Sequence, residues 1–142
     1  MGNVGYDVLT GLPNRRAFQK EIEEKYSANL RKHRCLLFID IKNFRDLLQE
    51  MGHDWVDSFV LRLSKELLAM ADKGWLASYR PVVYSFSDHS FVLVMHGIRM
   101  HQVEDLDLGY RIYNSLLQNT YEQNGHIRPW LTVSVFKILP KH

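Results

Sequence analysis

The segment Cys35 to Ile41 reads CLLFIDI, a short apolar run broken by one carboxylate, Asp40. Its length and its Leu, Phe and Ile content suit a strand buried on both faces, since a half-exposed strand would alternate apolar with polar residues. A central strand of this kind sets the rest of the reading: the remaining segments must supply its sheet and its cover.

Arg15 to Leu30 carries Phe18, Ile22 and Tyr26 at four-residue spacing, which predicts a helix, with Asn14 at the N-cap position behind Pro13. Asn43 begins a short helix to about Gln49, and Gly52 breaks it. A longer helix from about Asp54 to Ala71 lines up Val56, Phe59, Val60, Leu63, Leu67 and Met70 in one stripe, the pattern of core packing. Pro81 to Phe86 and Ser90 to Met95 are β-rich runs separated by Ser87, Asp88 and His89, so they read as a hairpin with a polar tip. Leu106 to Tyr121 returns to helical spacing, and Trp130 to Leu139 alternates as a final strand. The expected class is α/β (α+β).

A length of 142 residues, 46% hydrophobic and 24% charged, fits a single domain spanning 1–142. The formal charge of +2 gives no argument for nucleic acid. Cys35, the lone cysteine, reads as a buried thiol in a reducing compartment, which favours the cytoplasm. No apolar stretch approaches the roughly 18 residues that cross a bilayer, and Asn3 and Asp7 stand where a signal peptide would be apolar, so no membrane contact by this domain is expected. A parent protein could still be membrane-anchored.

Asp7 to Arg16 reads DVLTGLPNRR, which resembles the D-x-LTGLPNRR string that opens GGDEF domains. Ile39 to Asp57 (IDIKNFRDLLQEMGHDWVD) resembles the family's next block, with Asp40, Phe44, Gly52, His53 and Asp57 at the expected spacings. The hairpin VVYSFSDHSFVLV occupies the place of the signature turn, which here reads Ser87-Asp88-His89-Ser90-Phe91. The resemblance spans nearly the whole chain. It implies a mostly antiparallel sheet flanked by helices, the nucleotide-cyclase-like fold. Family domains usually continue past the last strand into another helix and strand, which this chain lacks, so the expectation is a piece of a larger protein, for example GGDEF-EAL, or a shortened member.

The resemblance also implies a chemistry: two GTP molecules joined across two facing domains, each 3′-hydroxyl attacking the other's α-phosphate, with divalent metal neutralising the phosphates. Asp40 supplies the first metal carboxylate, but the hairpin acid falls on His89, a poor ligand for Mg²⁺, which prefers hard oxygen donors. The paired glycines fall on Ser87 and Asp88, which add bulk and a negative charge facing the triphosphate. Lys42 takes the place of a second carboxylate, on the same strand face as Asp40, and pairing with it is preferred to metal ligation. Of the guanine-reading positions, one falls on Leu48 and the other is retained as Asp57; unmatched base edges cost discrimination on the order of 10⁴. Arg45 keeps the charge of a phosphate-facing lysine, and the product-site positions fall on Ser78 and Pro81, with Arg80 out of register. Asp40, Phe44, Arg45 and Asp57 are thus the remnants of a nucleotide site, with no catalytic residue expected.

His53 reads as a helix-start residue, and His96, His101 and His126 as surface residues without metal spacing. An acid–base pair of Asp88 and His89 is set aside because adjacent hairpin residues point to opposite sides. The expected function is an inactive GGDEF domain serving as a regulatory or interaction module in bacterial cyclic-di-GMP signalling, with a protein partner or neighbouring EAL domain and possible homodimerisation. No cofactor is expected; Mg and GTP enter only if the remnant site still binds them. A GTP-binding sensor without turnover is the alternative, with a residual cyclase and an RNA-linked role behind it.

Overall fold

In the computed structural model, residues 5–28, 34–96, 105–120 and 128–138 are described. The chain runs α1 (Arg15–Ala28), β1 (Arg34–Ile41), α2 (Phe44–Met51), α3 (His53–Asp72), a 3-10 turn (Ala77–Tyr79), β2 (Val82–Ser87), β3 (Ser90–His96), α4 (Asp105–Thr120) and β4 (Leu131–Ile138). The element order is the one expected from the sequence. Leu30, Tyr121 and Leu139, three of the expected element ends, lie outside the described residues.

The four strands form one antiparallel sheet in the order β2-β3-β1-β4. β1 is central and buried on both faces, as its composition requires. Cys35, Leu37, Ile39 and Ile41 point to a large core shared with Phe59, Leu63 and Leu67 of α3 and Ile112 and Leu116 of α4. Leu36 and Phe38 point the other way, to a smaller cluster with Tyr84, Val92 and Phe18 of α1. That second cluster is aromatic: the Phe18 ring meets Phe38, Tyr84 and Phe86 edge-on, and the Arg15 guanidinium caps Phe86 at 4.6 Å. Burial and the neighbouring Glu21, which accepts a hydrogen bond from its hydroxyl, push the Tyr84 phenol up to about 12.

Two glycines take positive φ where the fold turns sharply. Gly52, at φ 86°, ends α2 and starts α3, giving the break read from the sequence. Gly11, at φ 73°, closes a loop over residues 5–14, in which Tyr6 bridges Pro13 and the Asp7 amide donates to the Leu12 carbonyl at 2.7 Å. The Ser85 amide donates to the Pro13 carbonyl at 2.8 Å, which ties this entry loop to β2. Asn43 does not cap α2 through its side chain. Its Nδ2 donates to the Arg128 carbonyl at 2.6 Å and its Oδ1 accepts from the Trp130 amide at 2.9 Å, pinning the start of β4 to the end of β1.

Candidate functional site

The C-terminal end of β1, the hairpin turn and the start of α2 converge. β1 brings Asp40 opposite Ser90 on one side and Thr132 on the other, and the Ile41 amide donates to the His89 carbonyl at 2.9 Å, holding the turn against the strand end. The hairpin strand runs one residue further than its composition suggests, to Ser87, so the turn is Asp88 and His89 alone. The register slips between Ser85 and Ser87, a bulge that lets the strands close without a left-handed residue. Neither Asp88 nor His89 has a positive φ; among described non-glycine residues only Arg80 does. The turn therefore has no need of the glycines that primed hairpin turns demand.

Asp40 is engaged on both oxygens. Lys42 Nζ lies 3.1 Å from its Oδ2, and His89 Nε2 lies 3.7 Å from its Oδ1. β1 ends at Ile41, so Lys42 sits in the following turn rather than on the strand face. Its long stem still reaches back to the carboxylate. On its other side the His89 ring places Nδ1 2.7 Å from Asp88 Oδ1 and 3.3 Å from Ser87 Oγ, and it tilts over the Phe44 ring at 5.4 Å. The expectation that Asp88 and His89 point apart is corrected here: strand alternation does not govern turn residues, and the two side chains meet. Ser87 Oγ accepts the His89 amide and hydrogen-bonds Ser90 Oγ, which is buried, while Phe91 is a core residue at 1% exposure.

A cleft of about 560 Å³ opens beside this cluster. It gathers Phe44 and Leu48 from α2, His53, Asp57 and Val60 from α3, Ser87 from the end of β2 and Asp88 from the turn. Asp7, Val8 and Leu9 of the entry loop also line it, and the sequence reading did not assign them to a site. Their signal was the entry string itself, with the Asp7 carboxylate drawing in the Thr10 amide and hydroxyl at 2.9 and 2.7 Å. Of the remnant residues, Phe44 and Asp57 line the cleft; Asp40 and Arg45 do not. Arg45 is exposed on α2, and Ser78 and Arg80 are exposed beyond α3. His96 is half-buried, and His101 and His126 lie outside the described residues.

The donor set does not fit Mg²⁺. Mg²⁺ takes oxygen ligands in octahedral geometry, commonly one or two carboxylates completed by waters and phosphates, whereas the carboxylate here, Asp40, already faces an ammonium and an imidazole. Among the described residues no group of three or more His, Cys, Asp or Glu converges to hold a metal. Asp7, Asp57 and Asp88 line the cleft, and among the described residues neither Lys nor Arg does. No helix among the described residues is long and apolar enough to cross a membrane.

Comparison with known proteins agrees with the fold. The family described as "Diguanylate cyclase, GGDEF domain" matches residues 4–135. Diguanylate cyclase DgcN of Escherichia coli K12 is 32% identical over 95 residues, covering 66% of this chain and 22% of that protein. The chain spans about a fifth of the length of the curated relatives it matches. The FimX GGDEF domain of Pseudomonas aeruginosa superposes with a TM-score of 0.73 at 20% identity, covering 99% of this chain and 83% of that one. The S helix-GGDEF-EAL portion of Vibrio cholerae LapD, in its apo form, gives 0.71 at 14% identity, covering 98% of this chain and 30% of that one.

Proposed function

Because the chain belongs to the diguanylate cyclase GGDEF-domain family, we propose that it is a non-catalytic member acting as a regulatory docking module in cyclic-di-GMP signalling. The observation that carries this reading is the state of Asp40, whose carboxylate is occupied by Lys42 and His89. The ammonium supplies positive charge where a metal would bring it. A half-buried carboxylate with such partners stabilises the strand end instead of activating a hydroxyl.

The fold around that end keeps a paired four-stranded sheet, an entry loop tied to β2 and a hairpin closed by its own side chains. The partner we propose is an EAL domain or another protein of the same signalling system. The support is LapD, in which a GGDEF domain of the same fold precedes an EAL segment. The cytoplasm is the compartment we assign, from the buried thiol of Cys35.

A second reading, a GTP sensor without turnover, is favoured by one observation: Asp57, the retained guanine-reading position, lines a cleft large enough for a base. Incubating the chain with GTP and Mg²⁺ and assaying cyclic di-GMP, with calorimetry of GTP alongside, tests both. Neither product nor heat supports the docking module, heat without product supports the sensor, and product overturns both.

A further inference from the structure

The two edges of the sheet are finished differently. β2 is six residues long, carries a bulge between Ser85 and Ser87, and gives its Ser85 amide to the Pro13 carbonyl of the entry loop. β4 runs eight residues in unbroken register with β1, without proline or bulge, and among the described residues it pairs with no other strand. Short, bulged or covered edges resist further pairing, whereas a long regular one is a template for another strand. The Lys42 amide donates to the Trp130 carbonyl, so the two-residue period of the ladder turns Thr132, Ser134 and Phe136 toward β1 and leaves the amides and carbonyls of Leu131, Val133 and Val135 facing outward. Exposed aromatic rings flank this row on both faces. Tyr110 of α4, 66% exposed, lines a groove of about 520 Å³ with Val133 and Val135, while Trp130 and Phe136, 63% and 54% exposed, stand on the opposite face.

An edge of this kind takes an extended backbone, and β4 is itself a match for it. A two-fold axis perpendicular to the sheet keeps each face on its own side, so residues pair only with partners of the same face. Two registers give the longest overlap, centred on Ser134 or on Val135. Only the first sets Val133 against the second copy's Val135 twice over, in pairs whose outward amides and carbonyls bond each other. It also lays Phe136 opposite the second copy's Thr132, one diagonal step from the second copy's Trp130. Three aromatic residues per copy, each more than half exposed, would withdraw on the order of 700 Å² from water. With the paired backbone this approaches the roughly 1,000 Å² of a small specific interface. We propose that β4 pairs antiparallel with β4 of a second copy about a two-fold axis at Ser134, joining the two sheets into one. The interface uses neither Asp40 nor the cleft, so it goes beyond the docking reading, and either stands if the other fails.

The test is sedimentation equilibrium of the 142-residue chain at concentrations spanning ~100 µM, the order of Kd expected of a small, transient interface. A reversible monomer–dimer equilibrium is expected. Ser134 is exposed and meets itself on the axis, so Ser134→Lys sets two ammonium groups together. It is expected to weaken dimerisation at least about tenfold, with the loss eased by salt and the circular dichroism unchanged. In an antiparallel pair of this kind the Cα atoms are about 4.5 Å apart, within disulfide reach, so Ser134→Cys is expected to cross-link two chains on mild oxidation. Thr132→Cys, about 14 Å from its symmetry mate, is not. A monomer at every concentration, which would leave the edge to some other extended segment, overturns the proposal. So does a dimer indifferent to Ser134→Lys, or one in which Thr132→Cys cross-links as readily as Ser134→Cys.

Discussion

The entry loop over residues 5–14 and the hairpin turn at Asp88 and His89 border the same cleft, and each is organised around an aspartate. They are held in opposite ways. In the entry loop Asp7 binds backbone: its Oδ2 accepts the Thr10 amide, its own amide donates to the Leu12 carbonyl, Gly11 takes the left-handed turn, and Leu12 is driven into the main core. In the hairpin, Asp88 is 76% exposed and among the described residues meets only the neighbouring imidazole. One aspartate shapes the chain and the other decorates it. The entry loop depends on its aspartate and on the positive φ of Gly11, whereas the two-residue hairpin turn, without positive φ, makes no such demand on its residues.

The two loops should therefore respond very differently to substitution. Leu12→Ala removes a core side chain from the entry loop and is expected to cost about 2–4 kcal/mol in urea unfolding. Asp7→Ala strips two hydrogen bonds from a part-buried turn and should cost about 1–2 kcal/mol by the same measurement. β2, which joins the entry loop to the hairpin, adds a pH signature. The Tyr84 phenol is raised from 10.0 to about 12, so its protonated form contributes stability that is fully present below pH 10 and is lost as pH rises through 12. The loss is on the order of 1–2 kcal/mol, and Tyr84→Phe should flatten that part of the stability-against-pH curve. Asp88→Ala or His89→Ala should change stability by less than about 1 kcal/mol, since Asp88 is largely in water and His89 is half-exposed. If the hairpin variants proved as costly as Asp7→Ala, the contrast between the loops would fail.

Most of the fold was legible because it rests on local periodicity. CLLFIDI suits a strand buried on both faces, Gly52 a break, and the stripe from Val56 to Met70 a helix face packed on a core. The Asp40–Lys42 pair was legible too, being two residues apart. What escaped were contacts that local pattern does not encode. Asn43 reads as the start of a helix, yet its side chain binds Arg128 and Trp130 more than eighty residues away. The entry loop reaches the cleft only because the Pro13 carbonyl meets the Ser85 amide. The meeting of Asp88 with His89 depends on turn dihedrals, to which strand alternation does not extend. The cleft's carboxylates come from three elements distant in sequence, so its charge becomes visible only once they are assembled.

The central claim is that Lys42 and His89 hold Asp40 in place of a metal, and paramagnetic Mn²⁺ tests it at that residue. Titrating the ¹⁵N-labelled chain with Mn²⁺ should leave the amides of Asp40, Ser90 and Thr132 no more broadened than those of exposed carboxylates elsewhere. Selective broadening of those amides at micromolar Mn²⁺ would show a working metal site and contradict the account.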